Sequence, residues 1–274
     1  MQSSDTICGG AGNDSLYGGA GNDLITSEAG ADFIHGGAGT DTAIYETSVS
    51  ADLEAATADD GGGIDTLTLV ENLTGSQAND HLLGDDFNNQ LIGRGGIDFL
   101  FGDLGNDSLL GGSGNDQLDG GEGNDYLDGG NDNDSLFGWI GIDQLFGGAG
   151  NDFLSGGEDG DSIDGGSGID TLDYSFYAGI TANLTTGTAS DGDSIVGIEN
   201  LIGSNFGTIL TGNAGNNSLT GDSGKDFLDG AGGTDVCDGS LGCDWCKNCE
   251  TMISCENFDP VCFPVGEPIV DQTP

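Results

Sequence analysis

The sequence predicts an all-β fold, a parallel β-roll (β-solenoid) of nonapeptide repeats with 18 residues per coil, two inserted non-repeat stretches and a cysteine-rich C-terminal cap. Three observations carry this prediction. The pattern Gly-Gly-x-Gly-Asn-Asp-x-Leu recurs every nine residues, an apolar residue is locked to one phase of that period, and 55 of the 274 residues are glycine. A helix would also return to one face after nine residues, but a Gly-Gly pair in every unit would cost it about 2 kcal/mol of propensity each time. A flexible Gly-rich linker would need no phased apolar residue.

Counting each unit from its first glycine, the frame opens at Gly9, Gly18, Ser27 and Gly36 and lapses near Tyr45. It resumes at Gly75 and runs through eleven units, the last opening at Gly165; five more open at Gly203, Gly212, Gly221, Gly230 and Gly239. The expected organisation is therefore a first roll block at 1–45, a β-rich insert at 46–74, a second block at 75–174, a β-rich insert at 175–202, a third block at 203–247, and a cysteine-rich cap with an extended tail at 248–274. Position six is Asp in seventeen of the twenty units, the exceptions being Asn89, Thr208 and Asn217. Position eight is Leu or Ile in seventeen, the exceptions being Ala43, Cys237 and Cys246.

Each unit reads as a six-residue turn followed by a three-residue strand whose middle residue, position eight, points inward. Two units then form one coil with short parallel strands on opposite walls. Leu16, Leu82, Leu109, Leu127 and Leu145 stack into a thin core. Twenty units would span roughly 48 Å at about 4.8 Å between stacked strands. The inserts carry a second duplication: Asp65-Thr66-Leu67 and Glu71-Asn72-Leu73 are echoed by Asp193-Ser194-Ile195 and Glu199-Asn200-Leu201. Their Thr, Val and Ile content predicts short strands continuing the stack with a bulging loop, and residues 49–58 alternatively fit a short helix.

Composition narrows function before any motif does. The formal net charge is −45, with Arg94, Lys225 and Lys247 as the whole basic complement. Such a chain cannot neutralise phosphates, which excludes nucleic-acid binding and attachment to anionic membranes. It must attract cations. The acid is mostly Asp, 38 against 10 Glu, and with 20 Asn this is the chemistry of turns and oxygen-rich metal loops. No apolar run approaches the roughly 18 residues of a membrane span. Residues 1–10 lack a charged segment followed by an apolar one, so the sequence predicts export without a cleavable signal peptide, or a piece of a longer chain.

The repeats resemble Gly-Gly-x-Gly-x-Asp-x-U-x, the calcium-binding repeat of RTX (repeats-in-toxin), or hemolysin-type, proteins. Gly111-Gly112-Ser113-Gly114-Asn115-Asp116-Gln117-Leu118-Asp119 is a near-perfect copy. The resemblance implies that each ion sits between turns one coil apart, shared through the position-six Asp and glycine-turn carbonyls. Carried over by position, the metal residues are Asp14, Asp23, Asp32, Asp41, Asp80, Asp98, Asp107, Asp116, Asp125, Asp134, Asp143, Asp152, Asp161, Asp170, Asp226, Asp235 and Asp244. Three blocks would hold up to about fourteen calcium ions, with sites containing Asn89, Thr208 or Asn217 weaker or empty. Asp119, Asp128, Asp164 and Asp229, at position nine, read as solvated turn residues.

The donor set suits calcium. It takes six to eight hard oxygen ligands in flexible geometry, whereas zinc and copper favour the His and Cys that the repeats lack. The expectation is a calcium-binding module that folds on secretion and works outside the cell, with a secretion transporter or a cell-surface polysaccharide as further partners. The competing expectations are an accessory repeat region of a longer secreted protease, lipase or alginate epimerase, and a surface adhesin module. No catalytic constellation is visible: His35 and His81 belong to no His-Glu-x-x-His, and there is no Gly-x-Ser-x-Gly elbow or Walker loop.

Near the C-terminus, Cys237, Cys243, Cys246, Cys249, Cys255 and Cys262 fall close together. A disulfide-stapled end cap, a zinc site and an iron–sulfur site all fit this spacing. Cys237 and Cys246 occupy position eight and should point into the core. Cys8 is the seventh and is left over. A cap would cover the open strand edges at the end of a stacked roll.

Overall fold

The computed structural model describes residues 3–255; Cys262 and the expected extended tail at 260–274 lie outside the described residues. The fold is all-β, a parallel β-solenoid with an 18-residue spacing between paired strands, and the described residues contain no helix. Two compact units are present, one of residues 1–170 with 191–197, the other of residues 171–190 with 198–274.

In the first unit the two units of each coil lie on opposite walls. One wall stacks Gln90–Gly95, Ser108–Ser113, Tyr126–Asn131, Gln144–Ala149 and Ser162–Ser167; the other stacks His81–Leu83, Phe99–Phe101, Gln117–Glu122, Ser135–Ile140 and Phe153–Glu158. Register is set by position eight, with Leu91 beside Leu109, Leu109 beside Leu127, and Leu127 beside Leu145. These leucines are fully buried, so the core is a single file of side chains per wall. A one-residue slip would turn every leucine outward, which fixes the register strongly.

The strands differ in length from the expectation. In the central units they run six residues, from position seven to position three of the next unit, as in Ser108–Ser113. The glycines at positions one and two stay near the ladder, with Gly112 paired to Gly130, so only positions four to six turn. Position four is where the backbone of the central coils favours glycine most. A Cβ on Gly114, at φ +123°, would collide with the carbonyl of Gly96 one coil away. Asp132 and Asp159 occupy the same position by shifting to φ 76°.

The first insert is a strand meander, which corrects the helical alternative for residues 49–58. Ser50–Asp52 and Thr57–Asp59 pair antiparallel, Thr57–Asp59 pairs antiparallel with Ile64–Thr68, and the outer strands join the stack in parallel at His81–Leu83 and Phe33–Ala38. On the opposite wall Thr42–Ile44 pairs directly with Asn72–Thr74. Tyr45 fills the core here and is almost wholly buried.

The second unit repeats the plan on a smaller scale. Ile209–Thr211, Phe227–Asp229 and Trp245–Lys247 stack on one wall, and Asn200–Ile202, Ser218–Thr220, Val236–Asp238 and Thr251–Ile253 on the other. Thr181–Asn183 forms an antiparallel pair with Thr188–Ala189 and joins Ile209–Thr211 in parallel. Disulfides Cys237–Cys249 and Cys246–Cys255 staple the last coils, and Cys243 is also disulfide-bonded. The bonded sulfurs favour the staple among the three readings and leave no thiolate set for zinc or an iron–sulfur cluster among the described cysteines. Cys237 and Cys246 point into the core, and Cys8 is free and exposed.

Candidate metal centre

Position six lies at the end of each turn, where the chain re-enters a strand. In the first unit the Oδ1 atom of each such aspartate from Asp23 onward accepts the backbone N–H of the residue 18 positions earlier, except at Asp80, which accepts the Val49 N–H at 2.7 Å. Asp23 accepts from Asp5, Asp32 from Asp14, Asp41 from Asp23, Asp98 from Asp80, Asp107 from Asn89, Asp116 from Asp98 and Asp125 from Asp107, at 2.7–2.8 Å. Asp134, Asp143, Asp152, Asp161 and Asp170 continue the file, accepting from Asp116, Asp125, Asp134, Asp143 and Asp152 at 2.8–2.9 Å. In the second unit Asp226 accepts from Thr208, Asp235 from Asn217 and Asp244 from Asp226, at 2.7–3.0 Å. The carboxylates of residues 18 apart are thus brought into one file along each turn edge.

The second oxygen is left over. Oδ2 of Asp14, Asp23, Asp41, Asp98, Asp107, Asp116, Asp125, Asp134, Asp143, Asp152, Asp161, Asp226 and Asp235 is buried with no hydrogen-bond partner in the protein. A buried anionic oxygen without a donor is costly, and it must bind a proton or a cation. Burial accordingly pushes Asp98 and Asp107 up to about 7, Asp134 and Asp161 to about 8, and Asp116, Asp143 and Asp226 to about 6. The backbone N–H donors oppose this shift; for Asp98 the carboxylates of Asp116 and Asp80 add to it.

Glycine at position one shapes the space around Oδ2. A Cβ on Gly111 would lie 2.5 Å from Asp116 Oδ2 and 2.7 Å from the Gly129 carbonyl oxygen. Any side chain there would fill the cradle in which a carboxylate oxygen faces a backbone carbonyl of the next coil. Among the described residues no three His, Cys, Asp or Glu side chains converge on one point. A cation here would draw on two carboxylates and several carbonyls, a hard, all-oxygen set that fits calcium.

Five places break the pattern, each for a visible reason. Ser27, at position one, places its hydroxyl 2.5 Å from Asp32 Oδ2 and 3.0 Å from Asp65 Oδ2, with one proton to share between them. Ser76 donates its N–H to Asp80 Oδ2 at 2.6 Å. Asn89 reverses the ladder step by donating Nδ2 to the Glu71 carbonyl at 2.8 Å, and Asn217 does the same to Glu199 at 2.9 Å. An amide N–H thus replaces an anionic oxygen at both asparagines. At the fifth exception, Thr208, the hydroxyl lies 3.1 Å from Asp226 Oδ1.

Several residues outside the predicted set belong to the same file. Asp65 accepts the Asp32 N–H and Asp193 the Asp161 N–H, both at 2.8 Å; Glu71 accepts from Asp41 at 2.8 Å and Glu250 from Asp235 at 2.7 Å. The duplicated Asp-x-Leu/Ile and Glu-Asn-Leu segments are the signal for Asp65, Asp193 and Glu71: each stands two residues before a core residue, as position six stands before position eight. Asparagine at position five forms a second ladder running the other way, with Asn106 Oδ1 accepting the Asn124 N–H at 2.8 Å and Asn133 the Asn151 N–H at 2.7 Å. The position-nine aspartates lie on strands, half-buried, and not in solvated turns. Asp229 there pairs with Lys247 at 2.9 Å.

The model of one repeat family, the RTX calcium-binding nonapeptide repeat (4 copies), matches residues 4–43, 74–109, 101–136, 110–145, 140–172 and 202–242, well over half of the chain. No curated protein matches the chain.

Proposed function

We propose a calcium-gated fold, from the premise that the chain belongs to the RTX calcium-binding nonapeptide repeat family. It is a calcium-binding repeat module. The observation that carries the finer reading is the file of buried, partnerless Oδ2 atoms, unbroken along the central coils from Asp98 to Asp161. Pairs such as Asp98 with Asp116, Asp107 with Asp125, Asp134 with Asp152 and Asp226 with Asp244 would hold the ions, together with carbonyls of the glycine turns. Bound calcium supplies positive charge in place of protons and cancels the repulsion between stacked carboxylates. The residues themselves set the spacing: the Oδ1 hydrogen bonds lock adjacent coils, and glycine at position one keeps the cradle open.

Up to about fourteen sites follow from the repeat count, less those where Ser27, Ser76, Asn89 or Asn217 already satisfies the oxygen. Extracellular calcium modules bind in the range of about 10⁻⁴–10⁻³ M, so the chain would remain unfolded in a low-calcium cytosol and fold after export. The disulfides favour the same oxidising compartment. The repeat fold is non-catalytic, and this chain acts as a calcium-stabilised extracellular module; a transporter and a surface polysaccharide are its proposed further partners.

Calorimetric titration of chelator-stripped protein tests the reading. Uptake of many ions per chain, reduced by Asp116→Asn, is expected. A chain that takes up no calcium at millimolar concentration contradicts it.

A further inference from the structure

The family match stops at residue 172 and resumes at 202, yet one segment between these limits reproduces the geometry of a repeat. Ser194–Val196 pairs in register with Ser162–Asp164, placing Ile195 beside Ile163 in the core. Two residues before Ile195, Asp193 is 1% exposed, and its Oδ1 accepts the Asp161 N–H at 2.8 Å. Two residues after Ile195, the Gly197 carbonyl lies where a Cβ on Gly165 would strike it, in the cradle of Asp170, as the Gly129 carbonyl lies against Gly111 in the cradle of Asp116, so the segment keeps the repeat phase into the next turn. The Asp161 side of this junction is 2% exposed, and its Oδ2 has no hydrogen-bond partner. Asp191 adds a second buried, partnerless Oδ2 in the same segment.

We infer that residues 191–197 are a cryptic repeat unit and that Asp193, which the family model does not match, forms a calcium site with the matched Asp161. The other insert supplies an internal contrast. Asp65 makes the same backbone link to Asp32, but the Ser27 hydroxyl stands within hydrogen-bonding distance of both Oδ2 atoms, 2.5 and 3.0 Å away, and occupies the place an ion would take. A carboxylate in phase is therefore not sufficient. The site also requires an open position one, which Gly156 provides beside Asp161 and Ser27 does not beside Asp32.

The inference rests on the calcium-binding reading above, and equilibrium dialysis of the full chain separates the two. Ions bound per chain are counted for the native sequence, Asp193→Asn and Asp65→Asn, with circular dichroism confirming that each is folded in calcium. Asparagine keeps the Oδ1 acceptor and removes the charge. Asp193→Asn is expected to bind one ion fewer and Asp65→Asn the same number. An unchanged count in Asp193→Asn overturns the inference, loss of an ion in Asp65→Asn overturns the contrast, and no binding by the native chain defeats the broader reading instead. Should Asp193→Asn fail to fold, terbium-soaked crystals of the native chain decide: an anomalous peak between Asp161 and Asp193 is expected, and peaks at repeat aspartates without one there overturn the inference.

Discussion

The Oδ1 atom of Asp116 accepts the backbone N–H of Asp98 at 2.8 Å, while the Oδ2 atoms of both residues are buried without a hydrogen-bond partner. One oxygen of each carboxylate ties coil to coil, and the other is held for a cation. A residue type with a single acceptor could do only one of these, which is why aspartate recurs at position six.

The pH dependence follows from the raised carboxylates. Unfolded, they titrate near 4; folded without metal, Asp98 and Asp107 do so at about 7 and Asp134 and Asp161 at about 8. The folded apo chain therefore holds more protons than the unfolded chain between these values. The stability these groups contribute is fully present below about pH 4 and is lost as pH rises through 6–8. In chelator, far-ultraviolet circular dichroism should therefore show less β structure at pH 8 than at pH 5. In calcium the ions displace the protons, so affinity should rise over the same window; an apo chain more stable at pH 8 would contradict the assignment.

Position one is the second test. Gly111→Ala places a Cβ against Asp116 Oδ2 and the Gly129 carbonyl. It should weaken calcium binding and lower the melting midpoint of the calcium-loaded chain. Ser113→Ala, at an exposed position three of the same unit, should stay within about 0.5 kcal/mol of the native chain.

Leu127 sits in the single-file core between Leu109 and Leu145 and is fully buried. With so few neighbours able to collapse into the space, Leu127→Ala should cost about 2–5 kcal/mol in urea unfolding of the calcium-loaded chain. A loss below about 1 kcal/mol would mean that the core contributes less than the ions do.

The thiols give a chemical check. Native alkylation should modify Cys8, whereas Cys237, Cys243, Cys246, Cys249 and Cys255 should react only after reduction. Mass spectrometry with and without reductant reads this directly. Ready labelling of Cys246 without reductant would remove the staple.

The nine-residue phase made the walls, the register and the position-six file legible, because Leu at position eight and Asp at position six are each required by one recurring environment. The inserts were harder to read. Asp65, Asp193 and Glu71 occupy the aspartate file without the Gly-Gly pair that marks a repeat, since strand pairing at Leu67, Ile195 and Leu73 keeps the phase once neighbouring coils exist. Ser27 opens its unit where the neighbouring units have glycine, and only the fold brings Asp65 to within hydrogen-bonding distance of its hydroxyl. Strand length was misjudged because glycines at positions one and two were assigned to the turn, whereas Gly112 pairs with Gly130 in the ladder.

The central claim is that calcium and the fold are inseparable. Far-ultraviolet circular dichroism of the full chain, taken at pH 8 in excess chelator and again at about 2 mM calcium, tests it most directly. A coil spectrum that converts to β structure on adding calcium, and reverts on its removal, is predicted. A β spectrum that is the same in both conditions would contradict the account.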